Sequence, residues 1–141
     1  MTDKIVAKTK HGEITLDQLA EVQPGMARLM KEVGDRYHIL YYAAKGGNWR
    51  LAKHELNVIA SIFKTGSTLR PKYSHDLGGF TQSHLNGIDE MIQKEDWNGF
   101  EEAYKKGIEE ANRLHAKLGY EYIRYVLPTS PPAQLDLQPG E

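Results

Sequence analysis

Apolar side chains recur at alternating steps of three and four residues along four segments of this chain of 141 residues. This spacing places them on one face of an α-helix, which is how helices that pack side by side are patterned. The predicted helices cover residues 24–45, 48–64, 80–93 and 96–118. Their apolar faces contain Met26, Met30, Val33, Tyr37, Leu40 and Ala44, then Ala52, Leu56, Ile59 and Phe63, then Leu85, Ile88 and Ile92, and finally Trp97, Phe100, Tyr104, Ile108, Ala111, His115 and Leu118. We therefore predict an all-α fold, an antiparallel four-helix bundle with an N-terminal arm and an extended C-terminal tail.

The chain has the length of one domain, so residues 1–141 are expected to share a single core. Residues 1–23 form the arm and a short helix, 24–118 the bundle, and 119–141 an aromatic and then proline-rich tail. The first 14 residues are expected to form a loose hairpin or an extended arm. The aromatic part of the tail is expected to lie against the bundle or a second subunit.

Cap and turn residues give the boundaries of these elements. Thr15 and Gln18 have the spacing of a capping box for a short helix. Asn48 and Asp96 are suited to cap the second and fourth predicted helices, and Gly119 to end the fourth. The glycines and the proline within residues 65–79 favour a long surface connection before the third helix.

Composition argues against several classes of partner. A formal net charge of −1 lacks the basic excess that nucleic acid binding requires. No apolar run of about 18 residues occurs, and no apolar leader follows Met1, so we expect a cytoplasmic protein without membrane contact. The absence of cysteine removes disulfides, thiolate metal sites and thiol nucleophiles from consideration.

Residues 111–115, Ala-Asn-Arg-Leu-His, have the layout of a haem attachment motif in which both sulfurs are missing. Cys-x-x-Cys-His holds haem through two thioethers and one imidazole. In this chain Ala111 and Leu114 stand at the cysteine positions, and only His115 remains. The sequence therefore excludes a covalently attached haem c.

A second motif, Gly-Asn-Trp-Arg-Leu-Ala-Lys-His-Glu-Leu, spans residues 47–56. This motif and residues 111–123 follow each other in the order and at about the distance found in the small four-helix-bundle cytochrome c proteins, which are loosely akin to cytochromes c-prime. In these two motifs the chain resembles that family. The resemblance covers about residues 26–132. It implies the four-helix fold and a homodimer formed through the first bundle helix, and it identifies the chain as a degenerate relative without covalent haem.

His115 lies on the apolar face of the fourth predicted helix and is expected to point inward. Two interpretations follow. His115 could be an axial ligand of a non-covalently bound haem b, with Met30, Tyr37 or His38 across the bundle. Alternatively, it is a core histidine that donates a hydrogen bond to a tyrosine or a carbonyl.

Eight tyrosines against three phenylalanines are unusual for a bundle. Buried phenols need hydrogen-bond partners, so a cluster around His115, Arg36 and Tyr37 could line a polar cavity for a small aromatic or carboxylate ligand. The alternative places the tyrosines at the rim of the bundle and at an interface. The exposed segment 69–76, with two cations, a tyrosine and a histidine, could equally hold an anion or be a solvated connection.

Five side chains are candidates for a carboxylate and histidine metal centre, namely His54, Glu55, His84, Asp89 and Glu90. The sequence contains no Glu-x-x-His, which di-metal bundles require twice, so we predict no metal site. Three functional hypotheses remain. The first is a non-catalytic binding or partner protein, the second a haem b protein using His115, and the third a small-molecule enzyme with His115 as general base.

Overall fold

The computed structural model describes residues 6–140 and is mostly helical, with one small sheet at its N-terminal end. Strands β1 (Val6–Thr9) and β2 (Gly12–Thr15) pair antiparallel, which confirms the hairpin alternative for the arm. The part of the predicted arm over residues 1–5 lies outside the described residues, as does residue 141. Helix α1 (Leu16–Glu21) begins at the predicted capping box of Thr15 and Gln18.

Three of the predicted bundle helices begin within about two residues of the expected position. These are α2 (Met26–Lys45), α3 (Trp49–Leu69) and α6 (Trp97–Lys117). The Asn48 side chain accepts a hydrogen bond from Leu51 N at 3.1 Å, and Asp96 accepts one from Gly99 N at 3.1 Å. Both predicted N-caps are therefore confirmed.

The prediction for residues 65–79 was wrong. Helix α3 continues to Leu69, and a 3-10 turn (Pro71–Tyr73) leads directly into α4 (Ser74–Phe80). A π turn (Thr81–Leu85) then joins α4 to α5 (Asn86–Gln93), so the third long segment begins before the expected position. Gly66 lies within α3 and allows close packing there, since an added Cβ would lie 3.2 Å from the Leu77 side chain.

The core lies where the long segments meet. Helix α2 packs along α3, α5 packs along α6, and α3 also contacts α4. The largest fully buried side chains are Leu40, Ile59, Ile88 and Phe100, one from each of α2, α3, α5 and α6. The centre of the fold is thus built by all four segments.

The predicted apolar face of α6 is buried only in its first half. Phe100 and Tyr104 are buried, whereas His115 is half-buried and Leu118 is 37% exposed. The last turns of α6 are flanked by the tail, whose Tyr125 contacts Asn112 and His115. Among residues 6–140, no helix is both long enough and apolar enough to cross a bilayer.

Candidate functional site

The half-buried imidazole of His115 lies in the last turn of α6. Its Nδ1 is buried and has no hydrogen-bond partner among the described residues, which differs from the predicted core histidine that donates to a tyrosine or a carbonyl. Burial lowers the pKa of His115, because the charged imidazolium loses hydration there. The neutral ring is the form that can accept a proton or ligate a metal.

Tyr125 of the tail lies between His115 and α2. The two ring centroids are 6.0 Å apart, and the Tyr125 hydroxyl is 3.5 Å from the carbonyl oxygen of Met30. A Cβ added to Gly34 would lie 2.9 Å from the same hydroxyl, so the glycine is what admits the ring. Tyr125 therefore takes up the space between α6 and α2 in which a ligand of His115 was predicted.

The backbone of Tyr125 is fixed by one side chain of α6. Asn112 donates to the carbonyl of Tyr125 at 2.9 Å and accepts from its N–H at 2.8 Å. Such a two-point contact satisfies both polar groups of a residue outside any regular element. Sequence reasoning missed Asn112 and Tyr125, because a side-chain amide that bonds the backbone of a residue outside any helix or strand leaves no signal in helical spacing.

The tail then runs along α2 towards the turn between α2 and α3. His38 Nε2 donates to the carbonyl of Ser130 at 2.6 Å, and the Tyr42 hydroxyl donates to that of Pro128 at 3.3 Å. Asn48 donates to the carbonyl of Leu137 at 3.2 Å. The proline-rich end of the tail therefore lies along α2, and the contacts on α2 share one row because they are four residues apart. The expectation that the aromatic part lies against the bundle holds at Tyr125 and Leu127, whereas Tyr122 and Val126 are exposed.

Arg36 does not join the predicted cavity. It points towards α3, where its Nη1 donates to Oε2 of Glu55 at 3.0 Å. Glu55 is the buried charged residue of the described chain, at 4% exposure. The pair is a structural link between α2 and α3, and the prediction that Arg36 and His115 share a cavity was wrong.

Tyr37 is also committed elsewhere. Its hydroxyl donates to the carbonyl of Tyr104 at 2.8 Å, and the Tyr104 hydroxyl donates to the carbonyl of Tyr37 at 2.8 Å. The two rings stack with centroids 4.0 Å apart. Loss of hydration raises the pKa of both phenols, so they remain neutral donors. These two reciprocal hydrogen bonds join α2 to α6, and the two tyrosines do not form the wall of a cavity.

A third tyrosine extends this aromatic cluster to the surface of α6. The Tyr41 hydroxyl donates to Oε2 of Glu101 at 2.7 Å. Burial, helped by the hydrogen bond to this carboxylate, raises the pKa of Tyr41 to about 12. The same hydrogen bond lowers the pKa of Glu101. These phenols are satisfied by protein groups, which is what a core position requires.

The residues around His115 do not fit a haem as they are placed. Tyr125 faces the imidazole, Tyr37 is bonded to Tyr104, and the Met30 carbonyl lies against the tail. The buried, partnerless Nδ1 is the one feature consistent with a ligand. A porphyrin would require the tail to leave α2.

The side chains weighed for a metal are likewise dispersed. Within residues 6–140 no group of three or more histidine, aspartate or glutamate side chains is arranged to hold an ion. Glu55 pairs with Arg36 and Asp89 pairs with Lys53. From the exposed segment 69–76, Asp76 pairs with Lys117 of α6.

Comparison with known proteins adds no assignment. No family model, no curated protein and no solved structure matches this chain. The likeness to four-helix cytochromes c is carried by the two sequence motifs alone.

Proposed function

We propose that the protein is a non-catalytic cytoplasmic partner protein, a degenerate relative of c-type cytochromes, which acts as a homodimer through its aromatic tail segment. The supporting observation is the exposure of residues 118–126, which we name the aromatic segment. Tyr122 and Val126 are each 74% exposed. The other exposed members are Leu118, Tyr120, Ile123 and Tyr125. Contiguous apolar and aromatic surface of this kind is typical of protein interfaces.

The scaffold of this proposal is an antiparallel four-helix bundle. Its support is that each of four long segments supplies one of the largest buried side chains. The turn of residues 46–48 between α2 and α3 is short, and short connections favour antiparallel neighbours. On such a scaffold a tail can lie in the groove between two helices and present its outer side to a partner.

The aromatic segment is held in place before any partner binds. Asn112 fixes the backbone at Tyr125, and Leu127 packs against the core. Binding therefore orders few additional groups, which lowers the entropic penalty of association. A free tail of the same composition would have to be ordered first.

A second copy of the chain fits this surface because the segment carries one charge of each sign, Glu121 and Arg124. A two-fold axis through the segment can place Glu121 of each copy beside Arg124 of the other, so the contact is made twice. Tyrosine hydroxyls both donate and accept, as a self-complementary interface requires.

Charge reversal tests the pairing directly. Glu121→Arg alone places like charges opposite each other twice in the dimer, and Arg124→Glu does the same. We expect each single variant to weaken dimerisation by about tenfold or more, and the double variant Glu121→Arg/Arg124→Glu to restore it. The measurement is molar mass by sedimentation equilibrium, which distinguishes 16.0 kDa from twice that value.

Val22→Glu is the matched control for Val126→Glu, because Val22 is 70% exposed and lies between α1 and α2. Val126→Glu is expected to give monomers and Val22→Glu dimers. A wild-type mass of 16.0 kDa at every concentration, or equal effects of the two substitutions, contradicts the proposal.

The buried Nδ1 of His115 favours haem b binding as the second candidate function. The placement of Tyr125 leads us to expect no Soret band shift when the purified protein is titrated with hemin. A Soret band in the wild-type protein that disappears in His115→Ala would establish the haem reading in place of the first. The hemin spectra and the molar mass test the two candidate functions independently, because the proposed dimer contact does not involve His115.

A further inference from the structure

A polar cavity of about 230 Å³ lies on the side of α6 that faces α4 and the π turn. Its lining combines charged and apolar side chains, among them Asp76, Phe80, Glu110, Arg113, Leu114 and Lys117. His115 does not line it, and neither does any residue of the aromatic segment.

The π turn (Thr81–Leu85) is what aligns one wall of this cavity. Its lining positions form two rows spaced by four residues, 75, 79 and 83, and 76, 80 and 84. An α-helix has 3.6 residues per turn, so a row spaced by four drifts around the axis. A π turn takes roughly 4.4 residues, which returns the row to the same face. Ser83 and His84 thereby stay turned towards α6.

The charged groups of the cavity balance. Lys117 Nζ lies 3.2 Å from Oδ1 of Asp76, and the Arg113 guanidinium holds both oxygens of Glu110. The hydrogen bonds from Arg113 lower the pKa of Glu110, and His84 and Lys117 add to the effect. The lining therefore carries two fixed cations and two carboxylates.

The carboxylates are less exposed than the cations that pair with them. The side chains of Asp76 and Glu110 are 18% and 24% exposed, whereas those of Lys117 and Arg113 are 53% and 61% exposed. An ammonium group entering the cavity would meet carboxylates, and a carboxylate left at its mouth would meet the cations. Phe80 and Leu114 add apolar surface to the same lining.

We propose that this cavity between α4 and α6 binds a small zwitterion, an α-amino acid with an apolar side chain. A ligand with a single charge would have to separate one internal ion pair and leave its other member without a partner. A zwitterion offers one charge of each sign, so the carboxylate and the cation of the separated pair both regain a partner. A cavity volume of about 230 Å³ accommodates an amino acid of the size of leucine.

Three probes of one shape test the charge requirement. These are leucine, 4-methylpentanoate, which lacks the ammonium group, and isopentylamine, which lacks the carboxylate. Binding is followed through the chemical shifts of the His75 and His84 rings. We expect leucine to bind, and each singly charged analogue to bind about tenfold more weakly or worse. Equal binding of an analogue overturns the proposal, and so does an absence of leucine shifts up to about 20 mM.

Matched variants locate the site. Asp76→Asn and Lys117→Met each remove one charge from the lining, and both are expected to weaken leucine binding by about tenfold. Lys106→Met is the control, since Lys106 lies on α6 outside the cavity and pairs with Glu102. If Asp76→Asn does not fold, Lys117→Met carries the test alone. Unchanged leucine affinity in a folded cavity variant overturns the proposal.

Discussion

Arg36→Met is expected to lower the free energy of unfolding by about 3 kcal/mol, because it leaves the carboxylate of Glu55 buried without its partner. The Glu55 side chain is 5% exposed, and Arg36 Nη1 donates to it at 3.0 Å. Among the described residues, Arg36 is the cation within ion-pair distance of Glu55. Chemical denaturation near neutral pH measures the difference.

Two further variants separate burial of the charge from loss of packing. Arg36→Met/Glu55→Leu removes both charges and is expected to recover most of the stability, since an apolar pair of similar size needs no hydration. Lys31→Met, on the same helix, breaks an exposed pair with Asp35 and is expected to change stability by less than about 0.5 kcal/mol. A double variant as unstable as Arg36→Met would show that the ion pair itself, and not the unpaired carboxylate, matters.

Gly107→Ala is expected to destabilise the protein by about 1–2 kcal/mol, although alanine is the better helix former. An added Cβ would lie 2.5 Å from the Tyr37 hydroxyl oxygen. That oxygen cannot retreat freely, because it donates to the Tyr104 carbonyl and its ring stacks on Tyr104. The substitution must therefore weaken the contacts between Tyr37 and Tyr104 that join α2 to α6.

Gly78→Ala is the same substitution at a matched position, and it is expected to change stability in the opposite direction. Gly78 lies within α4, and a Cβ there would meet no atom within 4 Å. Only the gain in helix propensity remains, so stability is expected to rise by up to about 1 kcal/mol. Thermal unfolding of both variants checks the pair, and a stabilised Gly107→Ala would contradict the close contact with Tyr37.

The helical class followed from the sequence because apolar spacing and caps are local signals. Asn48 and Asp96 cap helices as predicted, since an N-cap depends on residues three positions away. The prediction does not include the continuation of α3 or the early start of the third segment, because it treats glycine as a local helix breaker. Gly66 serves instead in a contact with Leu77, eleven positions further along the chain.

The candidate site was harder to predict because its residues are defined by partners distant in sequence. Periodicity correctly placed His115, Tyr37 and Arg36 on helices, but it could not say which helix each side chain faces. Arg36 turned out to face α3 and Tyr37 to face α6. The position of Tyr125 depends on Asn112 and on the absence of a side chain at Gly34, and neither feature repeats with the helical period.

The contacts of the tail with α2 have a consequence for the order of folding. They join residues separated by 86 to 95 positions, as in Tyr42 with Pro128, His38 with Ser130 and Tyr125 with Met30. During synthesis the row on α2 therefore stays open to solvent until residues 125–130 have been made. Since contacts this distant form late, a translation product that stops before residue 125 differs from the folded protein in leaving this row uncovered.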